Sequence, residues 1–245
     1  MHTVLKQHRI AVRNARTAVQ HASREVFALR KDVRVWFSKT GTAQYISHLD
    51  LNRCMSRAFH KAKLPLWYTE GFNPHVFLTF AAPLSLGFES YHESMDIRLI
   101  EDMPYTELIE KLNAGLPHDI RVFAVTEPEM KANDIAFAEY VLRLEADDVG
   151  AAAEDMRRVL AQPEIPIEKH TKKGNKIIDI KPNFEAMEIT EGDGELVMTV
   201  RLPAGNQGGI NPVLFVDAAE KLLNKELLVR VERTKLFDAN FREFK

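Results

Sequence analysis

The sequence predicts an α+β fold made of two ferredoxin-like units in tandem, preceded by a helical extension. Three observations predict it. Short segments alternate apolar and polar residues with the period of a strand, "DVRVWFS" (Asp32–Ser38) most clearly. Segments with helical spacing are interleaved with them in the order β-α-β-β-α-β, the ferredoxin-like order. The same order then recurs in the second half. The expected division is 1–31 for a basic amphipathic helical extension, 32–130 for the first unit and 131–245 for the second, with the boundary in "EPEMKANDIAF".

Met1–Lys31 contains neither Gly nor Pro. Leu5, Val12, Ala15, Val19, Ala22, Val26 and Leu29 follow spacings of three and four, a narrow helical seam. In Asp32–Ser38, Val33, Val35 and Phe37 share one face and Arg34 and Trp36 the other. Ser47 stands at an N-cap position with Asp50 three residues on, and the helix they open runs to about Lys63 before Pro65. Gly71, Asn73 and Pro74 mark a turn before a strand at Val76–Phe80. A strand near Glu93–Ile100, a helix opened by Pro104 and a strand at Asp119–Thr126 complete the first unit.

In the second half, strands are expected at Glu139–Glu145, Ile165–Thr171, Lys176–Ile180, Leu196–Leu202 and Leu227–Thr234. The two middle ones pair across the turn "KKGN". Helices are expected near Val149–Ala161 and Pro212–Leu223.

The chain has 245 residues, 45% of them hydrophobic and 28% charged, as in an ordinary globular protein. No apolar run is long enough for a membrane helix, and the first residues lack a secretory leader pattern. Cys54 is the one cysteine, so an internal disulfide, a cysteine-ligated iron–sulfur cluster and a multi-cysteine zinc site are excluded; a reducing cytoplasm is the expected compartment. The net charge is only −2 but unevenly placed. Basic residues crowd the first 31 positions and the helix after Ser47, whereas acids dominate Glu101–Asp155. Such segregation can build a positive face for a polyanion.

Tyr45, Ser47, His48 and Asp50 look at first like a nucleophilic triad. Adjacent helical side chains diverge by about 100°, so Ser47 and Asp50 can meet while His48 points away. Helix capping is the better use of that pair. His48 remains a candidate for phosphate contact or proton transfer. With His75, His92, Glu93 and Asp96 it could build a metal site or an acid–base pair, but no metal-ligand spacing is present.

The candidate RNA-binding set is Arg34, Trp36, Lys39, His48, Arg53, Arg57, Lys61 and His75, with Lys169, Lys172, Lys173 and Lys176 in the "KHTKKGNK" hairpin. The cations would hold phosphates and Trp36 would stack on a base. Gly205, Gly208 and Gly209 in "PAGNQGGINP" precede a helix and form a candidate anion loop.

Phe37–Gly41 ("FSKTG"), Tyr45–Leu51 ("YISHLDL"), Leu64–Pro65 and Gly71–His75 ("GFNPH") resemble a bacterial family of radical SAM-linked proteins, fused to or encoded beside a radical S-adenosylmethionine protein. "AEYVLRL", "KHTKKGNKIIDIKP" and "VERTKLF" add to the resemblance, which runs from about Asp32 to the end of the chain. The chain departs from the pattern after His75, where Val76 and Phe77 replace a proline and a basic residue. "ISHLDL" and the doubled order also look like the RAMP proteins that process CRISPR RNA, a likeness at the level of fold.

The resemblance implies a radical SAM partner using S-adenosylmethionine, an iron–sulfur cluster and in some members cobalamin, with no cofactor on this chain. The expectation is an RNA-binding accessory protein, not an enzyme on its own, that presents RNA of the tRNA or rRNA class to that partner. The alternatives are a docking subunit without RNA contact and a RAMP-like ribonuclease using His48.

Overall fold

A computed structural model describes residues 30–171, 174–205 and 208–245. The expected helix over the first 31 residues falls almost wholly outside them, as do Lys172 and Lys173. The first unit comprises β1 (Lys31–Lys39), α1 (His48–Ala62), β2 (Leu78–Phe80), β3 (Phe88–Leu99), α2 (Tyr105–Asn113) and β4 (Ile120–Thr126). Its strands lie in the order β4-β1-β3-β2. The second comprises β5 (Ile135–Glu145), α3 (Val149–Leu160), β6 (Pro166–Thr171), β7 (Gly174–Asp179), α4 (Lys181–Phe184), β8 (Glu188–Glu191), β9 (Glu195–Pro203), α5 (Val213–Leu223) and β10 (Val229–Asp238). Its order, β10-β5-β9-β8, repeats the first. The fold is α+β, as predicted.

Three details differ from the sequence expectation. The hairpin β6–β7 leaves the main sheet and forms a two-stranded sheet of its own. The place expected for Lys176–Ile180 is taken by β8, a four-residue edge strand "EITE" too short and too polar to show an alternating pattern. The two units are also not separate sheets. Phe88–Ser90 of β3 pair in parallel with Val231–Arg233 of β10, giving one eight-stranded sheet. The length of β3 permits this. Its 12 residues span about 40 Å, so one edge holds β2 at Met95–Ile97 and β10 at Phe88–Ser90.

Apolar residues from β1, β3 and β4 (Val33, Val35, Phe37, Met95, Ile97, Val122) pack against Leu51, Met55 and Phe59 of α1 and Leu108 and Leu112 of α2. A second core gathers Leu142, Leu144, Met198 and Val200 with Met156 of α3 and Phe215 of α5. Ala81, Ala82, Leu84 and Phe88 of the first unit belong to this second core, so packing as well as pairing crosses the seam.

At the seam lies a buried ion pair. Arg233 donates from Nε and Nη2 to the two oxygens of Glu93 at 3.1 and 2.6 Å. It also donates to the carbonyls of Ala82 at 2.7 Å and Pro83 at 3.3 Å. Removing one partner of such a pair leaves an uncompensated buried charge. Arg233→Ala is therefore expected to lower unfolding free energy by about 3–5 kcal/mol in urea denaturation. A loss below about 1 kcal/mol would show that the pair does not hold the seam.

Lys39 is buried beside this pair, with Nζ 3.2 Å from the carbonyl of Gln44. Burial pushes its pKa below the ordinary 10.5, and Arg233 pushes it the same way against the pull of Glu93. The unfolded chain then holds this proton more tightly than the folded one. Stability should rise as pH climbs through the folded pKa toward 10.5, and Lys39→Met should abolish that rise in an alkaline denaturation series.

Candidate nucleic-acid interface

The first-unit helices cover one face of the sheet, because Val33, Val35 and Phe37 share a core with α1 and α2. The alternation of β1 puts Trp36 on the opposite face, opposite Ser94 of β3 and Ala124 of β4. Between Trp36 and Phe37 the pairing with β4 slips by one residue, from Ala124 to Val122. That bulge leaves Phe123 unpaired and exposed. Its ring lies edge-on to His92 of β3, with centroids 5.8 Å apart.

The Trp36 indole N–H donates to Thr126 Oγ1 at 3.0 Å, which fixes the ring, and Phe244 meets it edge-on at 6.3 Å. Together with Ala124, Lys235, Leu236, Glu243 and Lys245 these groups line a recess of 210 Å³. Flat aromatic walls around a small open recess are what a single nucleobase needs to stack.

Arg34 shares this face but does not reach the recess. It is fully buried. It binds Asp96 with both arms at 2.7 and 2.8 Å and donates to the carbonyls of Lys245 and Met130. The Phe244 ring covers its guanidinium at 4.2 Å. Its role is to pin the last residues of the chain onto the sheet and thereby build one wall of the recess. Lys39, buried at the seam, is likewise withdrawn from any surface contact with phosphate.

On the helical side, Ser47 caps α1. Its hydroxyl accepts from the Asp50 N–H at 3.1 Å and donates to the Asp50 carboxylate at 2.7 Å. That bond and Arg53 hold the Asp50 pKa below its usual value. His48 turns away from both, and its ring rests edge-on against Phe80 at 4.8 Å. Partial burial lowers its pKa, opposed by Glu93. A Ser–His–Asp triad is absent here because capping consumes two of its members.

His75 Nδ1 lies within hydrogen-bond distance of Thr69 Oγ1 and the carbonyl of Asn73, tying the "GFNPH" turn together. The proposed His–carboxylate cluster is dispersed. Glu93 goes to Arg233, Asp96 to Arg34 and His92 to the open face. Among the described residues no three of His, Cys, Asp or Glu come together to hold a metal.

Arg53, Arg57 and Lys61 stand exposed along α1. Arg53 pairs with Asp50 at 3.1 Å, and Lys61 Nζ reaches the carbonyl of Ala114 at 3.3 Å. The stripe is thus on the helical side and the recess on the other, so the two do not form one flat surface. They connect around the β4 edge, where Lys61 meets the loop that leads through exposed His118 and half-buried Arg121 into β4.

Lys176 is exposed on β7, whereas the side chains of Lys169, Lys172 and Lys173 lie outside what is described. The glycine loop has a structural explanation. A Cβ on Gly205 would lie 2.3 Å from the Ile135 carbonyl, and its φ is +99°. The first N–H groups of α5 are engaged: Val213 by Asn211 Oδ1 and Phe215 by the Pro212 carbonyl. Gly205 and Gly209 line a separate cleft with Arg233, whose charge Glu93 already answers.

His92, Phe123, Lys235, Glu243 and Phe244 line the recess and are not among the RNA-contact candidates read from sequence. The signal for Phe123 was present: in "IRVFAVT" the buried phase runs Ile120, Val122 and then slips to Val125.

Among the described residues no helix is long and apolar enough to cross a membrane. No curated protein matches the chain. Solved structures that resemble it distantly include the following two. One is described as a Cbf5-Nop10-Gar1 complex, with 12% identity, a TM-score of 0.43 and coverage of 83% of this chain and 48% of that one. This chain therefore spans about half the length of that relative. The other is an unknown protein from Galdieria sulphuraria, with 14% identity, a TM-score of 0.25 and coverage of 83% and 98%. Neither likeness is close enough to carry a functional argument. The family pattern described as an uncharacterized protein conserved in bacteria (DUF2344) matches residues 32–212, and the chain belongs to that family.

Proposed function

We propose that the protein is an RNA-binding accessory subunit that holds a single-stranded segment of RNA, of the tRNA or rRNA class, for a radical SAM partner. The observation that carries the reading is the recess on the helix-free face, where Trp36, Phe123, His92 and Phe244 leave room for one stacked base. RNA-binding proteins use such sheet faces because every base has a π surface and an exposed ring needs no sequence-specific contact. The strand would continue around the β4 edge to Arg53, Arg57 and Lys61, where its phosphates meet cations.

The radical SAM partner rests on the resemblance of "FSKTG", "YISHLDL" and "GFNPH" to the radical SAM-linked family. S-adenosylmethionine, the cluster and any cobalamin belong to that partner. A docking subunit without RNA contact is the competing reading. The exposed Phe72 at the "GFNPH" turn would suit it, but an aromatic recess of base size would then have no use.

Filter binding of single-stranded RNA across a salt series separates the two contributions. Trp36→Ala/Phe123→Ala should weaken binding about tenfold or more with the salt slope unchanged, because base stacking contributes about 1–3 kcal/mol. Arg53→Ala/Arg57→Ala/Lys61→Ala should flatten the slope by about 2, at roughly 0.7 per lost phosphate contact. Unchanged affinity in both variants, or no retention by the parent protein at low salt, would overturn the reading in favour of the docking subunit.

A further inference from the structure

We infer that the recess selects guanine. The inference rests on the proposed RNA binding and specifies which base the site takes. Lys235 and Glu243 are among the polar side chains that line it, with His92, Thr126 and Lys245. Lys235 Nζ lies 3.5 Å from Glu243 Oε2, a long contact between two half-exposed groups. Both are set by main-chain pairing. The register of β10 against β5 slips between Arg233 and Lys235, which re-aims the strand. The chain after Asp238 then folds back, bridging Glu243 to Phe237 and donating the Phe244 N–H to the Leu236 carbonyl at 2.9 Å. The backbone thus brings both side chains of the pair into the lining of the recess that holds Trp36, Phe123 and Phe244.

The carboxylate supplies two adjacent acceptors, and the ammonium supplies donors only. The Watson–Crick edge of guanine offers the complement: two adjacent donors, N1–H and the N2 amino group, beside the O6 acceptor. On the same edge adenine presents one amino donor beside the N1 acceptor, cytosine one amino donor beside the N3 and O2 acceptors, and uracil a single N–H between two carbonyls. Only guanine satisfies both carboxylate oxygens at once, a bidentate charge-assisted contact, while O6 takes the lysine proton. The volume agrees. At 210 Å³ the recess is below the roughly 300 Å³ at which pockets for larger ligands begin, and it suits one flat base.

Guanine could arrive as a free nucleotide or within RNA, and the experiment distinguishes them. Trp36 fluorescence would be titrated with GMP, AMP, CMP and UMP, using Trp36→Phe to subtract the signal of Trp67. The same titration would use single-stranded oligonucleotides with one guanine or with adenine in its place. The expected result is a preference for guanine of about tenfold or more, lost in Glu243→Gln, which keeps one acceptor but adds an amide donor. A guanine-bearing oligonucleotide bound more tightly than GMP supports RNA as the source; equal affinity supports the free nucleotide. Equal binding of all four bases, or a preference unaffected by Glu243→Gln, overturns the guanine assignment and leaves RNA binding intact. Failure of the parent protein to bind any RNA overturns both.

Discussion

Much of this structure depends on the pairing of β3 with β10 and on the Arg233–Glu93 contact beside it. Each unit alone would end in a strand with an open edge, a template for unwanted pairing. Here β3 is long enough to give part of one edge to β2 and part to β10. The Arg233–Glu93 pair then fastens the two units from within and draws the carbonyls of Ala82 and Pro83 into the same knot. Because β10 is fixed against β3, Lys235 and Leu236 arrive beside Trp36 and His92, and the chain beyond β10 can fold back over Arg34. The recess is a product of the seam, assembled from residues more than a hundred positions apart.

The buried arginines share a physical logic. A guanidinium has up to five donors in a fixed plane, so one side chain can bind a carboxylate with two arms and still satisfy backbone carbonyls. Arg34 and Arg233 each do this, one on either side of the sheet. That use consumes their charge in fixing the scaffold. The cations of the proposed RNA contact stand elsewhere, Arg53, Arg57 and Lys61 exposed on α1 and Lys235 half-exposed in the recess. On the proposed reading, stacking and phosphate contact would be separated in space, with the β4 edge between them.

The sequence made the fold legible wherever burial imposes a clear period. The alternation of Val33, Val35 and Phe37 and the Ser47–Asp50 cap were both readable, and the structure places them as read. It was less legible where an element is short or polar. β8 has four residues and little apolar pattern, so local pattern assigns its place to the more conspicuous β6–β7 hairpin. Local pattern also cannot show long-range closure. Arg34 looked like an open-face cation because nothing nearby in sequence reveals that Phe244 and Lys245 will cover it. The phase of β1 alone puts Trp36 on the open face, whereas the exposure of Phe123 follows from a one-residue slip, and the positions of Glu243 and Lys235 follow only from the β10 register.

The central claim is that RNA lies with a base in the recess on the helix-free face. Ultraviolet cross-linking of the protein to bound single-stranded RNA, with the cross-linked peptides sequenced, tests it most directly, since aromatic rings stacked on bases form such links. The account predicts cross-links in the peptides holding Trp36, His92 and Phe123. Cross-links confined to α1 and the β6–β7 hairpin, with none on β1, β3 or β4, would contradict it.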